Sequence, residues 1–107
     1  MDTATCYERG VDFFDAKDYI SAAQWLEQVV SDAPDHMAAR MLLARSYYHS
    51  AQLGKAEAQL RNVLEQNPAE AYAHLMLGRT LQRQSRPDEA TAHMRLAAAM
   101  TGGSLDG

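Results

Sequence analysis

Apolar and small residues return along this chain with a period of 34. Three rows, residues 3–36, 37–70 and 71–104, can be numbered in columns 1–34. Column 8 then holds Gly10, Ala44 and Gly78, and column 20 holds Ala22, Ala56 and Ala90. Column 11 holds Phe13, Tyr47 and Leu81, column 24 Leu26, Leu60 and Met94, and column 27 Val29, Val63 and Ala97. Columns 4, 7, 8 and 11 share one face of a 3.6-period helix, as do columns 20, 24 and 27. Each row therefore predicts two antiparallel helices. Small residues at columns 8 and 20 let them approach, and large ones at columns 11 and 24 fill the space beside them. The turns within the rows are "AKDY", "SAQLG" and "QSRPDE". Pro34 and Pro68, at column 32, end the second helix of their rows, because the residue before a proline is disfavoured as α. Asp35 and Glu70 then lie close to helix N-termini, where the dipole favours negative charge. No alternating Val/Ile/Thr run reads as a strand.

This pattern resembles the tetratricopeptide repeat, a 34-residue unit with small residues at columns 8 and 20 and proline at column 32. The resemblance covers almost the whole chain and implies an all-α fold. The fold it implies is a solenoid of three helix-turn-helix repeats, six helices in a right-handed superhelix, and a flexible C-terminal tail is expected over 101–107. The sequence departs from the family at column 4, which holds Cys6, Arg40 and His74, and at column 7 of the first copy, which holds Arg9. Three copies are about the number at which stacking can bury a continuous core.

The face opposite the packing stripe is informative. Columns 2, 5, 9 and 12 lie about 140° from it at 100° per residue. A merely solvated face should be polar there. The first repeat offers Ala4, Tyr7, Val11 and Phe14; the second Ala38, Met41, Arg45 and Tyr48; the third Tyr72, Leu75, Arg79 and Gln82. The resemblance implies that this stripe lines a concave groove for an extended peptide or a partner helix. Tyr, Met and Arg are enriched at interfaces. Arg45 and Arg79 share a column in adjacent repeats, Arg83 follows one turn later, and His49 lies beside Tyr48. They form a positive strip on a chain of net charge −4, so the expected partner is an acidic or carboxylate-bearing segment with apolar anchors. The bland alternative is that Tyr7, Phe14 and Tyr48 only pack between repeats. Co-chaperone members of the family clamp a C-terminal carboxylate with Lys and Asn on their first helices. The corresponding places here hold Tyr7, Val11, Arg45 and Leu75, and only Arg79 fits. A chaperone-tail receptor is therefore not expected.

Composition narrows the function further. The chain has 107 residues, 47% hydrophobic and 22% charged, which suits one folded domain. Its negative charge argues against nucleic-acid binding. No apolar run approaches the roughly 20 residues of a membrane span, and the N-terminus does not read as a signal peptide. Cys6 is the single cysteine, so no internal disulfide is possible, and a cytoplasmic location is expected. The four histidines form no i, i+4 pair, there is no phosphate loop, and Asp88 and Glu89 read as helix N-terminal residues. No catalytic residue, metal or cofactor is expected.

The last repeat differs from the others at columns 26 and 30. Gln28 and Asn62 give way to Leu96, and Asp32 and Gln66 to Met100. A terminal repeat should become more polar there, so Leu96 and Met100 mark a possible self-association surface. The expected function is an adaptor that binds a protein segment in its groove. The alternative is a homo-oligomerising structural protein, assembled through the apolar C-terminal repeat or the groove.

Overall fold

The computed structural model describes residues 1–102; the rest of the expected tail, 103–107, lies outside the described residues. Six helices follow one another: α1 Thr3–Asp15, α2 Tyr19–Asp32, α3 Met37–His49, α4 Leu53–Gln66, α5 Ala71–Arg83 and α6 Pro87–Met100. Equivalent helices start 34 residues apart, so the sequence period is the structural period. Each helix packs on the next, and the first helices also approach one another, α1 to α3 and α3 to α5. The array measures 41 × 24 × 23 Å.

The turns inside the repeats are shorter than the sequence suggested. Each has three residues, 16–18, 50–52 and 84–86, so Leu53, Gly54 and Pro87–Glu89 belong to helices. Pro87 takes the first helical position, where its missing N–H costs nothing and its fixed φ fits. One cap recurs three times. The N–H groups of Asp18, Gln52 and Arg86 donate to the carbonyls of Phe13, Tyr47 and Leu81, at 2.9, 2.8 and 3.0 Å. Those of Lys17, Ala51 and Ser85 donate to Phe14, Tyr48 and Gln82. This is the Schellman arrangement, which needs a left-handed residue and usually takes glycine there. Here the residues are Lys17, Ala51 and Ser85, at φ 63, 61 and 61°.

N-caps are local. Asp2 and Asp18 accept from the backbone N–H groups of Thr5 and Ser21. At α3 the cap is His36, whose Nδ1 accepts from Ala39 N–H, and Asp35 stands one residue outside. Imidazole reaches the position that the carboxylate was expected to influence.

The core runs the length of the array in two clusters. Ala22, Ala23, Leu26 and Val29 of α2 pack with Cys6 of α1 and Ala39, Leu43 and Tyr47 of α3. Ala44, Leu60 and Val63 pack with Ala73, Met76, Leu77, Leu81 and Ala90. The column 8 residues are the points of closest approach. A methyl group at Gly10 would sit 2.7 Å from the Leu26 side chain. At Gly78 it would sit 2.7 Å from Met94 Cγ and 3.2 Å from the Ala90 carbonyl. Arg9, at column 7 of the first copy, is exposed, whereas Leu43 and Leu77 in the same column are buried.

Candidate functional site

The first helices α1, α3 and α5 carry the candidate stripe, and its aromatic rings are coupled to its arginines. The guanidinium of Arg45 lies 4.7 Å from the ring centroid of Phe14 on α1 and 5.9 Å from that of Tyr72 on α5. One side chain of α3 thus touches all three first helices. Arg83 lies 4.7 Å over the ring of Tyr48, and its Nη1 donates to the Tyr48 carbonyl at 2.8 Å. A guanidinium stacked by its flat face keeps N–H edges available for carboxylates.

His49 closes this cluster. Its ring stacks on Tyr19 at 4.6 Å and meets the edges of Tyr48 at 5.5 Å and Phe14 at 6.0 Å. Partial burial, then Arg45 and Arg83, hold its pKa below the usual histidine value. It therefore stays neutral at pH 7, and the positive charge of the cluster resides on the guanidiniums. Tyr19 was missed by sequence reasoning, which placed it in the turn. It is the first residue of α2, and the signal that could have found it is the capping residue Asp18 just before it.

The remaining stripe residues fall into two groups. Tyr7, Phe14 and Tyr48 are half-buried and pack on the first core cluster, and Tyr7 also faces the His36 ring at 4.9 Å. Met41 is half-buried against the second cluster, and Leu75 is half-buried. Tyr72, His49, Arg79, Gln82 and Arg83 are exposed. Gln82 reaches back to Met94 Sδ at 3.6 Å, so it lies at the edge of the hairpin. Arg45, Tyr48, Tyr72 and Arg83 thus join one network, with Phe14 and His49 inside it.

The carboxylates that form ion pairs, Glu57 and Glu89, lie on α4 and α6. All four ion pairs among the described residues join Arg61 or Arg86 to Glu57 or Glu89. Burial pushes the Glu57 carboxyl up, but hydrogen bonds from Arg61, Gln84 and Arg86 hold it below its usual value. None of these pairs involves Arg45, Arg79 or Arg83.

Leu96 and Met100 are exposed, at 45% and 42%. They are not on the face that would receive a further helix. In α2 that role falls to Ala23 and Val30, at columns 21 and 28, which pack in the cluster containing Ala39 and Leu43. In α4 it falls to Leu64, at column 28. The α6 counterparts are Thr91 and Ala98, so this end of the array is only weakly apolar. Columns 26 and 30 lie about 160° around the helix from column 28. Sequence reasoning also missed that column 4 faces column 23, which brings His74 to His93 at 3.0 Å. Among the described residues no group of three or more metal-ligating side chains occurs, and no helix is long and apolar enough to cross a membrane.

Similar proteins agree with this architecture. MamA, residues 41 to the end, from Desulfovibrio magneticus RS-1 superposes with a TM-score of 0.84 at 27% identity, covering 90% of this chain and 54% of that one. A double mutant of MamA from RS-1 gives 0.87 at 25%, covering 95% and 57%. The chain thus spans little more than half the length of these structures. The first tetratricopeptide domain of Spaghetti (RPAP3), solved bound to the HSP90 peptide SRMEEVD, gives 0.85 at 15%, covering 92% and 78%. That likeness concerns the fold alone. No curated protein matches the chain. The tetratricopeptide repeat family model matches residues 13–77, more than half of the chain. With the constant period, the paired helices and this match, the chain belongs to the tetratricopeptide repeat family.

Proposed function

We propose that this is a protein-interaction module whose first-helix face binds an acidic, carboxylate-bearing segment of another protein. The observation that carries the reading is the placement of Arg45 between Phe14 and Tyr72, together with Arg83 on Tyr48. These guanidiniums are oriented by aromatic rings and not neutralised by acids among the described residues, whose ion pairs involve Arg61 and Arg86. Orientation before binding reduces the entropy that association costs. Arg79 adds a third cation, exposed like Arg83, and Met41, Tyr48 and Tyr72 supply apolar contact. A net charge of −4 over the chain would repel an acidic partner elsewhere and so favour this face. Binding an acidic heptapeptide is also what one similar fold does, in Spaghetti (RPAP3), although its low identity does not transfer the ligand. The reading describes a binding module, not an enzyme.

Selection from an unbiased displayed-peptide library tests it. Enriched peptides should be rich in Asp and Glu, with an aromatic or aliphatic anchor, and their binding should weaken with salt. Enrichment of basic or neutral peptides would reject the reading. A second reading, self-association through α6, draws on one observation, the exposure of Leu96 and Met100 one turn apart.

A further inference from the structure

We propose that His74 and His93 form an acid-labile latch that holds the third hairpin closed at neutral pH and loosens it as pH falls below about 6.5, the usual histidine value. The two imidazoles stack, with centroids 5.3 Å apart and planes at 24°, and their Nδ1 atoms are 3.0 Å apart. His74 Nε2 is 2.9 Å from the carbonyl of Pro68. The pair therefore ties α5 and α6 to the turn that separates the second and third repeats. His74 is 7% exposed, so water offers little substitute for these bonds.

The proton positions are forced. A carbonyl only accepts, so His74 Nε2 carries the hydrogen and neutral His74 has a bare Nδ1. The proton between the rings then belongs to His93 Nδ1, and His93 Nε2 is bare. One added proton, on His93 Nε2, leaves the contact in place but puts a charge on a partly buried ring. A second, on His74 Nδ1, would set two N–H groups against each other at 3.0 Å. The pair tolerates one proton poorly and two only when open.

The surroundings carry both signs. From α4, Arg61 and Glu65 line the shallow pocket beside the two rings, with Leu64, and Glu57 acts on His93 from a distance. Glu89 acts from α6, and Glu70 stands at the N-cap position of α5, one turn before His74. Burial first, then His74 and Arg61, lower the His93 pKa, against the opposing pull of Glu89 and Glu57. The sign follows. A base whose folded pKa is depressed stabilises the fold fully above its unfolded value, and that stability is lost as pH falls from about 6.5 through the folded value.

The second repeat contains a permanent version of the same device. Arg40, one repeat before His74, donates from Nε to the Pro34 carbonyl at 2.7 Å and from Nη1 to Gln59 Oε1 at 2.9 Å. Gln59 is one repeat before His93. A guanidinium and an amide form a pair with no imidazole in it, so the second hairpin lacks the acid-labile step of the third.

The experiment grafts one device onto the other. Thermal melting of the native protein and of the His74→Arg, His93→Gln variant is compared at pH 7.5 and 5.0, with the Glu57 ion pairs common to both proteins. His36 and His49 are common to both proteins and cancel in the difference. The native melting temperature should fall by about 4 °C or more beyond the fall in the variant. An equal fall in both overturns the proposal. Nitrogen-15 NMR of the native imidazoles at pH 7.5 is independent of whether the variant folds. His74 protonated on Nε2 with His93 protonated on Nδ1 supports the latch; both protonated on Nε2 overturns it.

Discussion

Residues at special positions decide local cost in this array. Ala51 holds a left-handed conformation at the middle of an exposed turn. That conformation costs an L-residue about 1–2 kcal/mol, whereas glycine adopts it freely. The greater freedom of glycine in the unfolded chain offsets about 0.4–1 kcal/mol of the gain. Ala51→Gly should therefore stabilise the protein by up to about 1 kcal/mol, read as a rise in the denaturation midpoint. A lower midpoint would show that the turn is not under this strain. Ala90 is the opposite case, with no exposure and a place where α5 and α6 meet. Ala90→Trp should overpack that approach and cost about 1–3 kcal/mol or more. Unchanged melting would mean that column 20 does not line the helix contact.

Helices and their faces were the most legible level in the sequence. Size alternation at columns 8, 11, 20 and 24 located both helices of every repeat, because burial requires small opposite large wherever two helices approach. Turn lengths were less legible. Asp18 and Gln52 each could end a turn or cap a helix, and the Schellman bonds that settle the matter run through backbone atoms. The histidine pair was illegible for a related reason. His74 and His93 are 19 residues apart, and the contact depends on how two helices rotate about each other. The network around Arg45 was half legible. The shared face could be read from spacing, but the choice of ring for each guanidinium could not. At this scale Leu96 and Met100 make a prediction. They lie on the far side of α6 from the columns that hold a following helix, so Leu96→Glu with Met100→Glu should leave helicity unchanged. Any growth of mass with concentration in the native protein, followed by light scattering, should disappear in this variant. A dimer that survives the change makes its contact elsewhere.

Over the whole molecule, the ion-paired charges and the stripe arginines occupy different helices. Glu57, Arg61, Arg86 and Glu89 neutralise one another on α4, the last turn and α6, while Arg45, Arg79 and Arg83 lie on the first helices without carboxylate partners among the described residues. The solenoid brings α1, α3 and α5 together, so a ring from one repeat can hold an arginine of the next. No single repeat contains this arrangement. Arg45 and Arg83 also lean on Phe14 and Tyr48, so neutral Arg45→Gln, Arg79→Gln and Arg83→Gln substitutions serve as a packing control for charge reversal. The most direct measurement is the affinity of a selected acidic peptide for the native protein and for the Arg45→Glu, Arg79→Glu, Arg83→Glu variant, with circular dichroism showing both folded. Loss of one buried charged contact typically costs roughly 2–5 kcal/mol. Binding to the reversed variant should therefore weaken tenfold or far more, and the neutral variant should fall between. Equal affinity in a folded reversed variant would contradict an arginine-lined first-helix face as the binding site.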